Sequence, residues 1–271
     1  MATKISSKSN NSVASDDVEK KDEKETSIDI SISLDKLSLR PKKKLLVLPL
    51  AGIIVYRAHR SRPNTFPKNR RPDFSYGSFH VYKRPFCKEF LEFCFQRFHV
   101  ALWSAAREYN LQGILDHVMG DRKRKLLFTW DQEQCTDTGF MCLDRKDKPL
   151  FLKQLDYIWQ NKYSNLPWRA GGYSPSNTLL ITDPVKALLN PPNNGIFPET
   201  YDPEYKEDRF LGPNGELRMF LEGLSEAKDV PTYVKDHRIG QPPIIPDHSD
   251  WGYYSKIVRA FEKKGTTDDK I

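Results

Sequence analysis

Four short apolar runs, Leu45 to Leu50, His99 to Trp103, Lys125 to Trp130 and Thr178 to Ile181, alternate along the chain with stretches whose apolar residues recur at helical spacing. Runs of this length suit strands buried on both faces, and crossover helices are what join such strands in a parallel sheet. Between the second and third runs, Leu111, Ile114, Leu115 and Val118 give a helix over Glu108 to Met119 one apolar stripe. Phe90, Leu91, Cys94 and Phe95 do the same for Cys87 to Phe98. The expected fold is α/β, a Rossmann-like parallel sheet flanked by helices. Further helices are expected over Lys148 to Gln160 and over Gly215 to Val234, the second broken near Pro231. Pro191, Pro192, Pro198 and Pro203 make residues 190–211 a connector that holds a last strand, around Ile196, at the sheet edge.

The two ends read differently. Residues 1–40 hold Ser, Lys, Asp and Glu but no aromatic residue, so they bury too little apolar area to offset the entropy of ordering and are expected to form a disordered tail. Asp16, Asp17, Glu19, Asp22, Glu23 and Glu25 come too early for an arginine-rich, acid-poor import leader. Beyond about Lys256 the C-terminal extension, residues 246–271, is expected to fray. The longest apolar run, Leu45 to Tyr56, is interrupted by Pro49 and falls short of the roughly 20 residues that cross a bilayer, so no membrane span is expected. Cys87, Cys94, Cys135 and Cys142 lack the paired spacing of a zinc site and the density of a disulfide scaffold, which makes them reduced, largely buried thiols.

Charge is distributed unevenly. The chain has 43 Lys and Arg against 36 Asp and Glu, yet no carboxylate lies between Asp35 and Asp73, a stretch that includes Arg57, Arg60, Arg62, Arg70 and Arg71. Such a run is most often a solvated loop, but guanidinium forks beside a pocket would recognise phosphate or acidic peptides. Arg40-Pro-Lys-Lys-Lys44 is similar to a short nuclear-import signal.

The words KRPFCKEFLEFC, VALWSAAREYN, LLFTWDQEQCTDTG and NTLLITDPVKALLNPPN follow one another in a single order with sensible gaps. In that order, over residues 43–245, the chain resembles the FCP-type phosphatase domain of the haloacid dehalogenase superfamily. That family includes phosphatases of the RNA polymerase II carboxy-terminal domain and the related presequence receptor of the mitochondrial inner-membrane translocase. The resemblance implies a first strand ending in Asp-x-Asp-x-Thr. There the first Asp attacks phosphorus and the second protonates the leaving oxygen, roles that require both carboxylates on one side of the phosphate. Magnesium would bridge the nucleophile and the phosphate.

In this chain Pro49 occupies the nucleophile's position, Ala51 that of the acid and Ile53 the third position. No shift of alignment rescues the site, since residues 36–72 contain no carboxylate. By the resemblance, Ser104 matches the phosphate-binding Ser or Thr and Lys148 the lysine that neutralises phosphate, while Thr182 and Asp183 stand where the family has paired aspartates. Asp183 is then a weak magnesium candidate, because a lone carboxylate holds a hard divalent cation poorly. No cofactor is expected.

The leading expectation is a degenerate phosphatase-like domain that acts as a binding or scaffold module, with a phosphorylated or acidic protein partner and no DNA partner. An active phosphatase with unconventional residues and a presequence receptor of the mitochondrial translocase are the alternatives. The compartment expected is nuclear or cytoplasmic, with mitochondria as the alternative.

Overall fold

The computed structural model describes residues 43–163 and 166–268, so the tail expected over residues 1–40 lies outside the described residues. Five parallel strands make the central sheet: β1 (Leu45–Leu48), β5 (His99–Trp103), β6 (Thr129–Trp130), β9 (Thr178–Ile181) and β10 (Gly195–Ile196), in the spatial order β10-β9-β1-β5-β6. Side chains alternate across it. Leu46, Leu48, Leu102 and Ile181 join a cluster with helices α1 (Cys87–Arg97), α2 (Glu108–Met119), α4 (Glu216–Glu226) and α5 (Val230–His237). Leu45, Val47, Trp103 and Leu180 face a second cluster that includes Ile158 of α3 (Asp156–Trp159). Because both faces are covered, the strands read as continuous apolar runs and not as alternating ones. Lys44, which closes the basic word before β1, is buried and donates to the Ala227 carbonyl at 2.6 Å, where it caps the C-terminal end of α4.

Several elements depart from the sequence expectation. The helix expected over Lys148 to Gln160 is instead strand β8 (Pro149–Leu152), antiparallel to β7 (Thr136–Met141), followed by the short α3. Leu150 and Leu152 are buried with Phe151 half-buried between them, a period of two that a helix cannot use. The segment expected as one broken helix is two, because Asp229 accepts from the Thr232 N–H as the N-cap of α5 and Pro231 falls in its first turn, where a missing N–H costs nothing. The strand expected from Lys125 begins at Thr129, since Lys125 belongs to a 3-10 turn over Gly120–Lys125. The C-terminal extension is helical: α6 (Trp251–Asp268) packs Tyr254 and Ile257 against Leu150 and Leu152 of β8.

After β1 the chain forms an unforeseen three-stranded antiparallel sheet of β2 (Val55–His59), β4 (Phe79–Lys83) and β3 (Phe74–Tyr76), in the order β2-β4-β3. It rests on α2 through Tyr76, whose ring lies where a Cβ on Gly113 would stand, 2.1 Å away. Among the described residues no helix is long and apolar enough to cross a membrane.

Candidate functional site

From β1 the chain builds outward to β5 and β6 on one side of the sheet, then returns to place β9 and β10 on the other. A reversal of this kind opens a crevice beyond the carboxyl ends of the strands. A cleft of about 720 Å³ lies there, lined by Asp183 and Lys186 after β9, Glu199 and Thr200 after β10, Lys148 from the β7–β8 turn and Tyr254 of α6.

The end of β1 beside this cleft is apolar and tightly held. Val47 is level with Leu180 and Leu48 with Leu102, so Pro49 follows between the ends of β9 and β5, next to Thr182 and Trp103. Gly52 turns the chain at φ 91°, a conformation that favours glycine, and its carbonyl accepts from the Tyr201 N–H at 2.7 Å. Ile53 is buried, and its carbonyl faces the Arg84 guanidinium. Arg84 is itself buried, paired with Asp208 at 2.8 Å and stacked 4.3 Å from the Phe210 ring centroid. Pro49, Ala51 and Ile53, the residues that the resemblance sets at the catalytic positions, carry no carboxylate. Asp73, the first acid downstream, does not reach them: its carboxylate accepts from the Lys83 N–H and from Arg70 on the three-stranded sheet.

Across the cleft the chemistry is ionic. Lys153 follows β8 and is 2 % exposed; its Nζ donates to the Trp103 carbonyl at 2.6 Å, at the end of β5. Its backbone is clamped by neighbours, with its N–H donating to the Lys186 carbonyl and its carbonyl accepting from Asn190 Nδ2 at 2.6 Å. Burial, with added repulsion from Lys186, pulls the Lys153 ammonium down to about 7 against the opposing influence of Cys135 and Asp183. Burial pushes the Asp183 carboxyl up, but its ion pair with Lys186, helped by Lys153 and Lys148, outweighs this and holds it below the usual carboxylate range. Beside Asp183, the Thr182 hydroxyl is buried with no hydrogen-bond partner among the described residues.

The residues singled out from sequence fare unequally. Lys148 and Asp183 both line the cleft. The lysine held at a strand end, however, is Lys153, and reading Pro149–Leu152 as a strand would have placed it there. Ser104 follows β5, buried, but its Oγ accepts from the Ala106 N–H at 3.0 Å, which makes it a turn former. Arg57 lies with its guanidinium 5.0 Å from the Phe79 ring centroid, and Arg57, Arg60 and Arg62 are absent from the cleft lining. The basic run therefore does not stand at the cleft mouth. Lys186 and the C-terminal wall of Asp250 and Tyr254 line the cleft without having been singled out from sequence.

The sequence model of the NLI interacting factor-like phosphatases matches residues 44–231. The chain belongs to this family. A curated relative, an uncharacterized FCP1 homology domain-containing protein of Schizosaccharomyces pombe, is 26% identical over 192 residues, covering 70% of this chain and 73% of its own. Among solved structures, a fission yeast RNA polymerase II CTD phosphatase Fcp1 variant bound to beryllium fluoride is similar at a TM-score of 0.38 and 12% identity, covering 89% of this chain and 69% of that one. A second structure of Fcp1, an essential RNA polymerase II CTD phosphatase, gives a TM-score of 0.38 and 13% identity, with 84% of this chain and 64% of that one covered. This chain spans just under two thirds of that second protein. The family match ends before α6, so Asp250 and Tyr254 add to the cleft from outside the shared domain.

Family phosphatases imply magnesium, and the donors here do not fit it. Asp183 is taken by Lys186, β1 offers no oxygen ligand from a side chain, and no group of three or more His, Cys, Asp or Glu among the described residues is placed to hold a metal. A small hard cation wants several oxygen ligands. The charged groups that line the cleft are Lys148 and Lys186 with the carboxylates of Asp144, Asp183, Glu199 and Asp250.

Proposed function

We propose that this family member binds phosphorylated Ser or Thr segments of a protein partner without hydrolysing them. The observation that carries the reading is the pairing of an apolar β1 end, Pro49 and Ala51, with three lysines, Lys148, Lys153 and Lys186, gathered around one carboxylate. Phosphoryl transfer by this fold needs a nucleophile in line with the leaving oxygen, and direct attack by water forgoes the covalent step that divides the barrier. Binding needs only the lysines: a phosphate oxygen near Lys186 and Lys148 gains charge-assisted hydrogen bonds. It would also restore the charge of Lys153, whose buried ammonium has Cys135 and Asp183 as its favourable neighbours.

Beryllium fluoride with magnesium tests the reading, since it mimics an aspartyl phosphate and binds tightly only where a carboxylate can ligate beryllium. Fluorine NMR of the whole chain is expected to show no bound beryllium fluoride, while phosphoserine peptide perturbs amides near Lys186. A bound fluoride signal that Asp183→Ala removes would establish an active phosphatase site instead. We place the protein in the nucleus or cytoplasm; a fluorescent fusion concentrated in mitochondria contradicts that placement.

A further inference from the structure

The basic run after β1, Arg57 to Arg71, has no part in the cleft, yet it is not a loose solvated loop, the usual fate of such a run. The Arg60 N–H extends the pairing of β2 with β4 by donating to the Ser78 carbonyl at 2.8 Å, and the Arg62 N–H turns the chain onto the His59 carbonyl. A 3-10 turn over Pro63–Thr65 follows, pinned by Tyr56, whose hydroxyl donates to the Thr65 carbonyl at 2.9 Å. Farther on, the Lys68 N–H donates to the Glu204 carboxylate, and Arg70 holds both Asp73 and the Lys83 carbonyl. The backbone of the run is fastened to the three-stranded sheet.

Its charges are not compensated. Arg60, Arg62, Lys68 and Arg71 are exposed and Arg57 is half-buried, and none of them has a carboxylate partner among the described residues. The two acids alongside are taken by other groups, Asp73 by Arg70 and the Lys83 N–H, Glu204 by the Lys68 N–H. Burial pulls the Arg57 guanidinium below the usual arginine range, so a neighbouring anion would offset the cost of its desolvation. These cations do not converge on one point, since Arg57 and Arg60 stand about 10 Å apart along an extended strand and on opposite faces of it. That strand, β2, is the edge of its sheet. Aromatic rings accompany the charges on both faces. Phe79, opposite His59, shares the Arg57 face and stands 5.0 Å from the His59 ring, and on the other face Phe66 stands 5.0 Å from the His80 ring. All four rings are half-buried.

We propose that this edge binds a single-stranded nucleic acid, with backbone phosphates on Arg57, Arg60, Arg62 and Arg71 and bases against the Phe66 and His59 rings. A cationic track with rings beside it is what holds single strands without reading their sequence. A lone phosphate would engage one or two of the spread charges, whereas a polyanion engages all of them and releases its counterions. An acidic peptide would match the charge but leave the rings unused. The surface lies outside the cleft and does not depend on the phosphopeptide reading.

Fluorescence anisotropy of the full chain with a labelled oligouridylate of about twelve nucleotides tests this. Arg60→Ala with Arg62→Ala and Arg71→Ala should lower affinity by at least about tenfold. It should also flatten the slope of log affinity against log salt by about 2, from three phosphate contacts at about 0.7 each. Lys228→Ala with Lys235→Ala and Lys256→Ala removes equal charge from exposed sites elsewhere and should change affinity by less than about threefold. Phe66→Ala should weaken binding by about fivefold or more through lost stacking, and polyglutamate of matched charge should bind at least about tenfold more weakly than the oligouridylate. Thermal melts show that the variants are folded. Equal losses in the two triple variants would assign binding to net charge alone, and polyglutamate bound as tightly as the oligouridylate would assign the surface to an acidic protein. Either result overturns the proposal, as does unchanged binding by Phe66→Ala or no binding by the wild-type chain.

Discussion

The end of β1 and the wall opposite it across the cleft are built from contrary materials. At β1, Pro49, Ala51 and Ile53 are uncharged, and the turn is locked by backbone bonds that the Tyr201 and Arg84 N–H groups donate to the Gly52 and Ile54 carbonyls. On the other side, Lys148, Lys153, Asp183 and Lys186 form a charged cluster in which Lys153 is fully enclosed. The contrast teaches that one crevice of this sheet can join an apolar, hydrogen-bonded turn to a charged wall, and under the proposed function only the charged wall meets the ligand.

The rigid side breaks most readily through its buried ion pair. Asp208→Ala leaves the Arg84 guanidinium buried without a counter-ion, and urea unfolding should show a loss of about 3–5 kcal/mol. A loss below about 1 kcal/mol would mean that the β1 turn does not depend on that pair. The sheet beside β1 is also closely fitted. Gly113→Ala drives a methyl into the Tyr76 ring and should cost about 1–3 kcal/mol in the same measurement, with Tyr76→Ala suppressing most of the difference between the glycine and alanine forms.

The charged side is sharpened by pH. Lys153 titrates at about 7 in the folded protein, against 10.5 for an ordinary lysine. Below 7 it is charged in both states, and its burial is a standing cost. As pH rises through the interval from about 7 to 10.5, the unfolded chain holds this proton and the folded chain does not, so Lys153 contributes a stability gain of about 1.4 kcal/mol per pH unit. Lys153→Met should flatten the slope of unfolding free energy against pH by that amount; parallel slopes for the two proteins would show that the lysine is not desolvated. Lys186→Met removes only a partly exposed pair and should change stability by less than about 1 kcal/mol. The same substitution is expected to weaken phosphopeptide binding, which would distinguish a ligand contact from a structural one.

Much of the fold was legible because it rests on period and length. Strands β1, β5 and β9, helices α1 and α2, and the edge position of β10 all follow from apolar runs and stripes that only one packing buries. The hairpin of β7 and β8 was not, since Lys148 to Gln160 mixes a strand's period with the first turn of α3, and the helical signal dominates over that window. That one misreading hid Lys153, whose place at the end of β8 sets its ammonium against the Trp103 carbonyl. The apolar β1 end was legible residue by residue, because an absent carboxylate needs no structure to be seen. The fate of Arg57, Arg60 and Arg62 was hidden: proximity in sequence to β1 placed them near the cleft, whereas pairing of β2 with β4 puts Arg57 against Phe79. The C-terminal wall was hidden for a related reason, since α6 gains its place by packing on β8, an element read as helix.

Turnover of an aryl phosphate by the whole chain in the presence of magnesium tests the central claim most directly. Release of product is expected to match that of the Asp183→Ala variant, with both at the level of buffer. Release by the wild-type chain that Asp183→Ala abolishes would contradict the account, because it would make the Asp183 carboxylate part of a hydrolytic site.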